Sequence, residues 1–293
     1  MELFNQFFEE YGPGDIDRAV GMETRSILDA TPQEYSDKEH LKRIFSLIDL
    51  TTLNSDDNDA TARRFTGKLN TFRETFPGIP QVAAICIYPA LVEEVKKTLT
   101  DSSVRIAAVG AGFPASQTFL AVKLAECELL VKKGADEIDV VISVGRFLAG
   151  EDKTVLNELI LIRDACKGVK LKVILETGLL KTAQKIRTAS LLALEAGADF
   201  IKTSTGKNPV SATPEAIYIM ATAIRDYYSR TGRAVGIKPA GGIAGVQDAI
   251  VYYTLISSIL GEPWLEPALF RIGASRLANN LLSAINHQEI NYF

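Results

Sequence analysis

The strongest constraint on how this chain can fold is a repeated alternation. From about residue 40 onward, short apolar or β-branched runs are each followed by a longer stretch with apolar residues at helical spacing. The strand candidates are 45–50, 81–88, 105–110, 137–142, 171–177, 200–205, 234–239 and 270–273. Helix candidates lie near 59–75, 89–99, 117–133, 152–167, 180–196, 214–230, 246–260 and 275–286. In one of them Leu120, Leu124, Cys127 and Val131 share a face. Gly134, Gly168 and Gly197 are read as stop signals, and Thr213-Pro214 as an N-cap with proline in the first turn. Eight strand–helix units in about 250 residues have the size of a (β/α)8 TIM barrel. A doubly wound open sheet would carry a glycine-rich phosphate turn after its first strand. Here Asp49-Leu50-Thr51-Thr52-Leu53-Asn54 has no glycine. The expected architecture is therefore an α/β TIM barrel over 41–293 with an extra N-terminal helical segment over 1–40. In that segment Gly12-Pro13-Gly14 separates an aromatic-rich start from a helix expected at 15–30, which would pack on the barrel or on a second subunit.

Bulk properties narrow the functional classes. A net charge of −4 leaves no basic footprint, so no nucleic-acid partner is expected. No apolar run approaches the ~20 residues of a membrane-spanning helix. The start of the chain is acidic and lacks the basic region of a signal peptide, and its three cysteines are an odd count at unrelated spacings. Reduced thiols and a cytoplasmic location are expected. Its histidines, His40 and His287, sit near opposite ends, and no Cys-x-x-Cys pair is present, so neither a metal site nor a cofactor is expected. A homo-oligomer stays open.

Charge inside apolar runs is the functional signal. Reading the strand ends, where barrels build their sites, gives Asp49, Cys86, Asp139, Lys172, Glu176, Lys202 and Lys238. A buried ammonium is costly unless it is paired or used. One such pair could be a structural ion-pair network, but the whole set at one end of a barrel reads as a site. A lysine of ordinary pKa is neutral in about one molecule in 2,500 at pH 7. A neighbouring cation and burial raise that fraction, and a neutral amine can attack a carbonyl to form a Schiff base. Asp139 is the acid/base carboxylate candidate. Gly241-Gly242, Gly273-Ala274-Ser275-Arg276 and Gly206-Lys207 follow the last three strands, where barrels commonly hold a phosphate.

Together these stretches resemble the deoxyribose-phosphate aldolases, class I aldolases on a (β/α)8 barrel. The matching motifs are Ile48-Asp49-Leu50-Thr51-Thr52-Leu53-Asn54, Ala83-Ala84-Ile85-Cys86-Ile87-Tyr88-Pro89, Ala135-Asp136-Glu137-Ile138-Asp139-Val140-Val141 and Leu171-Lys172-Val173-Ile174-Leu175-Glu176-Thr177-Gly178. They continue with Phe200-Ile201-Lys202-Thr203-Ser204-Thr205-Gly206-Lys207 and Lys238-Pro239-Ala240-Gly241-Gly242. The resemblance implies reversible cleavage of 2-deoxy-D-ribose 5-phosphate to D-glyceraldehyde 3-phosphate and acetaldehyde. It makes Lys202 the Schiff-base lysine, Lys238 the neighbour that depresses its pKa, and Asp139 the acid/base. Lys172, Asp49, Cys86 and Thr205 would form the pocket and proton relay, and Gly206, Lys207, Gly241, Gly242, Ser275 and Arg276 the phosphate site. The chain departs from the family at Ile243-Ala244-Gly245, where relatives carry a basic residue after the glycine pair, and at Arg276, where a second serine is common. Arg276 is expected to supply the missing charge. Some relatives end in a tyrosine that enters the site; here Tyr292 is penultimate. Two alternatives remain: a Schiff-base aldolase for another phosphosugar, and a phosphosugar-binding barrel without catalysis.

Overall fold

The structure is a computed structural model and describes residues 15–293. The aromatic-rich start and Gly12-Pro13-Gly14 lie outside the described residues. Eight parallel strands run β1 Ile48–Thr51, β2 Ala84–Ile87, β3 Arg105–Gly110, β4 Glu137–Val141, β5 Lys170–Ile174, β6 Phe200–Lys202, β7 Gly236–Lys238 and β8 Ile272–Ala274. Each pairs with its neighbour in sequence, and β8 pairs with β1. Bridges from Ile237 to Phe270 and from Ala240 to Gly273 join β7 to β8 and close the ring. The fold is the (β/α)8 barrel.

In chain order the helices are α1 Asp15–Asp29, α2 Lys38–Ser46, α3 Asp59–Thr75, α4 Val92–Thr98, α5 Leu120–Lys133 and α6 Val144–Leu148. They continue with α7 Asp152–Ala165, α8 Thr177–Leu180, α9 Ala183–Glu195, α10 Pro214–Thr231, α11 Val246–Leu260 and α12 Arg276–Asn286. The stop and start signals act as their chemistry requires. Gly134 closes α5 in the left-handed conformation, and the Thr213 hydroxyl accepts the Ala216 N–H above Pro214. Three sequence expectations shift. Phe45 belongs to helix α2 rather than to the first strand, and its ring stacks on Phe72 at 5.2 Å between centroids. Short α6 occupies a stretch read as a connection, and α8 takes in Thr177, read as the end of a strand, and Leu180, read as the start of the next helix, because one turn is too short to display a helical period.

Alternation along the strands sorts the core. Outward residues such as Ile48, Leu50, Ile85, Ile138, Val140 and Ile201 meet the helices in the main apolar core. Inward residues fill the barrel itself. Ala84, Cys86, Ala107 and Val109 form an apolar patch on the β2–β3 side with Leu53, and the rest of the interior holds the Phe200 ring against Gly236 together with a cluster of ionic side chains. Bulky branched side chains usually fill this space. Close approach is met by glycine: a Cβ on Gly236 would lie 2.3 Å from the Phe200 ring. The helix α1 packs across α9, α10 and α11, burying Val20 and Thr24. Its Asp17 carboxylate accepts the Ala183 N–H at 2.7 Å, satisfying a free donor at the start of α9. The boundary drawn at residue 40 falls inside α2.

Candidate active site

A cavity of about 350 Å³ opens at the C-terminal ends of the strands. Its wall carries Thr51, Thr52, Leu53 and Asn54 after β1, Thr205, Gly206 and Lys207 after β6, Gly241 and Gly242 after β7, and Ser275 and Arg276 after β8. Lys202 forms part of its floor and is 3% exposed. Asp49, Asp139, Lys172 and Lys238 lie beneath it, fully buried.

The buried groups form one continuous ion-pair cluster. Asp139, at the centre of β4, receives Lys202 Nζ and Lys238 Nζ on its Oδ2, each at 2.8 Å, and Lys172 Nζ on its Oδ1 at 2.9 Å. Lys238 also reaches Asp49 Oδ2 at 2.5 Å. Lys172 reaches Glu137 Oε2 at 2.5 Å and Asp49 Oδ2 at 3.4 Å. The strand register explains the convergence: Asp139 lies beside Lys172, and Lys202 beside Lys238. Room for the Lys238 side chain comes from Gly273, where a Cβ would lie 3.1 Å from Lys238 Cε.

The partners divide the three lysines. Burial works against the ammonium of Lys172, but Asp139, Asp49 and Glu137 outweigh it and raise its pKa well above the ordinary value. Burial likewise opposes the charge on Lys238, yet Asp139 and Asp49 turn the net shift upward. Lys202 has Asp139 as its ion-pair partner, and there burial prevails; with the Lys238 ammonium adding to it, the Lys202 pKa falls. The lysine pair is therefore asymmetric: Lys202 falls, as expected for a lysine beside the Lys238 ammonium, while Lys238 itself rises. For Asp139, burial is overcome by Lys172, Lys202 and Lys238, which hold its carboxyl well below the usual range. Burial on Asp49 is similarly overcome by Lys172, Lys238 and Arg271.

Other expected residues take different places. Cys86 does not border the cavity; it lies in the apolar patch with Ala84, Ala107, Val109 and Leu53, and burial pushes its thiol pKa up. Thr205 is tied down: its hydroxyl donates to Glu176 Oε2 at 2.5 Å and accepts the Lys207 N–H at 3.1 Å. Glu176 reaches it from a left-handed backbone conformation after β5, φ 56°. Lys207 Nζ donates to the Leu53 carbonyl, joining the loops after β1 and β6. Tyr292 does not border the cavity; its hydroxyl donates to the Lys68 carbonyl of α3 at 2.6 Å and its ring lies edge-on to Phe76.

Three residues escape a reading confined to strand ends. Arg64, on α3, lines the cavity and forms no ion pair among the described residues, as is true of Arg276. Its neighbour Arg63 turns away to Glu94 at 2.7 Å. Glu137 and Arg271 enter the cluster from the N-terminal ends of β4 and β8. Arg271 donates to Glu137 at 2.8 Å and 3.1 Å and to Asp49 Oδ1 at 2.6 Å. The period of two that points Asp139 inward also points Glu137 inward, so that signal was available.

Comparison with known proteins agrees with this fold. The model of the DeoC/LacD family aldolases matches residues 43–254. The chain is 42% identical to the deoxyribose-phosphate aldolase of Homo sapiens over 258 residues, covering 84% of this chain and 81% of the human one. Identity to the deoxyribose-phosphate aldolase of Bos taurus is 42% over 258 residues, with the same coverage of 84% and 81%. The solved tetrameric deoxyribose phosphate aldolase from Aeropyrum pernix shares the fold with a TM-score of 0.69 at 24% identity, covering 88% of this chain and 97% of that one.

Proposed function

The chain belongs to the DeoC/LacD family of aldolases, and on that premise we propose that it cleaves 2-deoxy-D-ribose 5-phosphate reversibly through a Schiff base on Lys202. The observation that carries the assignment of Lys202 is its place on the cavity floor with a depressed pKa, while Lys172 and Lys238 are buried below with theirs raised. A nucleophilic amine must be both neutral and reachable; of the three lysines Lys202 alone is shifted toward its neutral form and alone borders the cavity.

The neutral Nζ of Lys202 adds to the C1 aldehyde of the open-chain sugar, and loss of water leaves an iminium. Removal of the C3 hydroxyl proton then lets the C2–C3 bond break. Its electron pair moves into the iminium, giving an enamine on Lys202 and free D-glyceraldehyde 3-phosphate. Protonation at C2 and hydrolysis release acetaldehyde and restore the amine. Asp139 is ionised in the resting cluster, which suits it to accept a proton through water and return it. Lys238 remains an ammonium and favours the neutral form of Lys202. Gly206, Lys207, Gly241, Gly242, Ser275 and Arg276 hold the phosphate; backbone N–H groups at the start of α12 and the two charged side chains supply donors. All six border the cavity, which supports that role.

The same reading places the enzyme in the cytoplasm, supported by the three unpaired and buried cysteines. Among the described residues no helix is long and apolar enough to cross a membrane. It also includes self-association, supported by exposed apolar residues on neighbouring α5 and α7: Val122, Leu129, Ile160 and Leu161. Borohydride reduction in the presence of acetaldehyde tests the chemistry. The expected result is an adduct on the Lys202 peptide that Lys202→Ala abolishes. An adduct on another lysine, or none, would overturn the assignment; an adduct without turnover of deoxyribose 5-phosphate would move the substrate elsewhere.

A further inference from the structure

The ionic cluster crosses the whole barrel. At its far end from the substrate cavity, a second opening is bordered by residues at the starts of the strands, among them Arg105, Glu137, Lys170 and Arg271. Glu137 and Arg271 are 2% and 3% exposed. From there two routes lead inward. Glu137 joins Lys172, which joins Asp139, which holds Lys202. Arg271 joins Asp49, which joins Lys238, which shares Asp139 Oδ2 with Lys202.

Fully ionised, this interior would hold four cations (Lys172, Lys202, Lys238 and Arg271) against three carboxylates (Asp49, Glu137 and Asp139). An excess charge in a poorly solvated interior is expensive, and losing one proton removes it. The geometry decides which proton. Lys172 is held by Asp49, Glu137 and Asp139, and Lys238 by Asp49 and Asp139, whereas Lys202 is held by Asp139. A guanidinium does not give up its proton.

We propose that Glu137 and Arg271 are positioning residues that set, through this charge balance, how readily Lys202 gives up its proton for Schiff-base formation. Neither touches the cavity where substrate would lie. The inference rests on Lys202 being the Schiff-base lysine. The other groups near Lys202 are Cys86 from β2, Lys207 after β6, Arg276 after β8 and Arg64 from α3, the last three on the same cavity wall, and Glu176 after β5, which holds Thr205 of that wall. All are unchanged in the test.

Borohydride-trapped adduct is measured against pH for the wild type and three variants. Arg271→Met leaves three cations against three carboxylates, so the midpoint moves to higher pH. Glu137→Gln leaves four against two, and the midpoint moves to lower pH. Each shift should be about one pH unit, the interaction of unit charges ~9 Å apart at an effective dielectric of ~20. The double variant restores an excess of one, and its midpoint returns towards the wild-type value. Loosened packing would move all three variants in the same direction, which overturns the proposal. So do unmoved midpoints in variants that still form the adduct. If Arg271→Met fails to fold, Arg271→Lys keeps the charge and must keep the wild-type midpoint, while Glu137→Gln alone must still shift it downward. Absence of adduct in the wild type would instead refute the Schiff-base reading.

Discussion

Substitution of Lys238 by methionine removes an ammonium while leaving most of its stem. The nitrogens of Lys238 and Lys202 each lie 2.8 Å from the same oxygen, Asp139 Oδ2, so their separation is at most twice that distance. Two unit charges ~5 Å apart at an effective dielectric of ~20 repel by about 3 kcal/mol, or roughly 2 pKa units. The sign follows from the equilibrium on Lys202. Repulsion favours its neutral form, so removing Lys238 restores the ammonium, and adduct formation needs a higher pH. Asp139, relieved of one competing cation, then holds Lys202 more strongly in the same direction. The assay is the yield of borohydride-trapped acetaldehyde adduct across pH 5 to 10, with circular dichroism confirming the fold. Breaking a buried pair costs about 3–5 kcal/mol when a charge is stranded. Here Asp49 keeps Arg271 and Lys172, and Asp139 keeps Lys172 and Lys202, so the variant is expected to fold. A midpoint that stays put or moves to lower pH would refute the reasoning. A folded variant that forms no adduct even at pH 10 would show that Lys238 does more than supply charge.

Two further outcomes follow from named contacts. Arg64→Ala and Arg276→Ala should each raise the Michaelis constant for deoxyribose 5-phosphate by roughly tenfold or more relative to unphosphorylated deoxyribose, the loss of one charge-assisted hydrogen bond. Arg63→Ala, whose side chain pairs with Glu94, should leave that ratio unchanged; equal ratios in all three variants would mean that neither Arg64, on the same cavity wall, nor Arg276 contacts the phosphate. Gly236→Ala drives a methyl against the Phe200 ring and should destabilise by about 1–3 kcal/mol, read as a lower Tm, with Phe200→Leu recovering part of the loss. An unchanged Tm would mean that the barrel floor yields more easily than its packing implies.

The alternation of short apolar runs with helical stretches was enough to identify the barrel, because a strand period of two and a helical period near 3.6 leave different marks on sequence. Its errors fell where period is silent: Phe45 at a helix end, and one-turn helices such as Val144–Leu148. The same local pattern put Lys202, Lys238 and Asp139 at strand positions where charge is costly, and so marked them as candidates. It could not divide their work. That depended on partners remote in the chain, Asp49, Glu137 and Arg271, which ring closure between β8 and β1 brings together. Nor could it separate Arg64 from Arg63, since one step along a helix turns a side chain by about 100° and only the packed helix shows which one faces the cavity. Sequence thus determined the barrel and the chemical identity of its inward side chains, through local periodicity and burial cost. Tertiary structure decided which lysine has the fewest carboxylates around it, because electrostatic energy depends on distances that only the closed barrel defines.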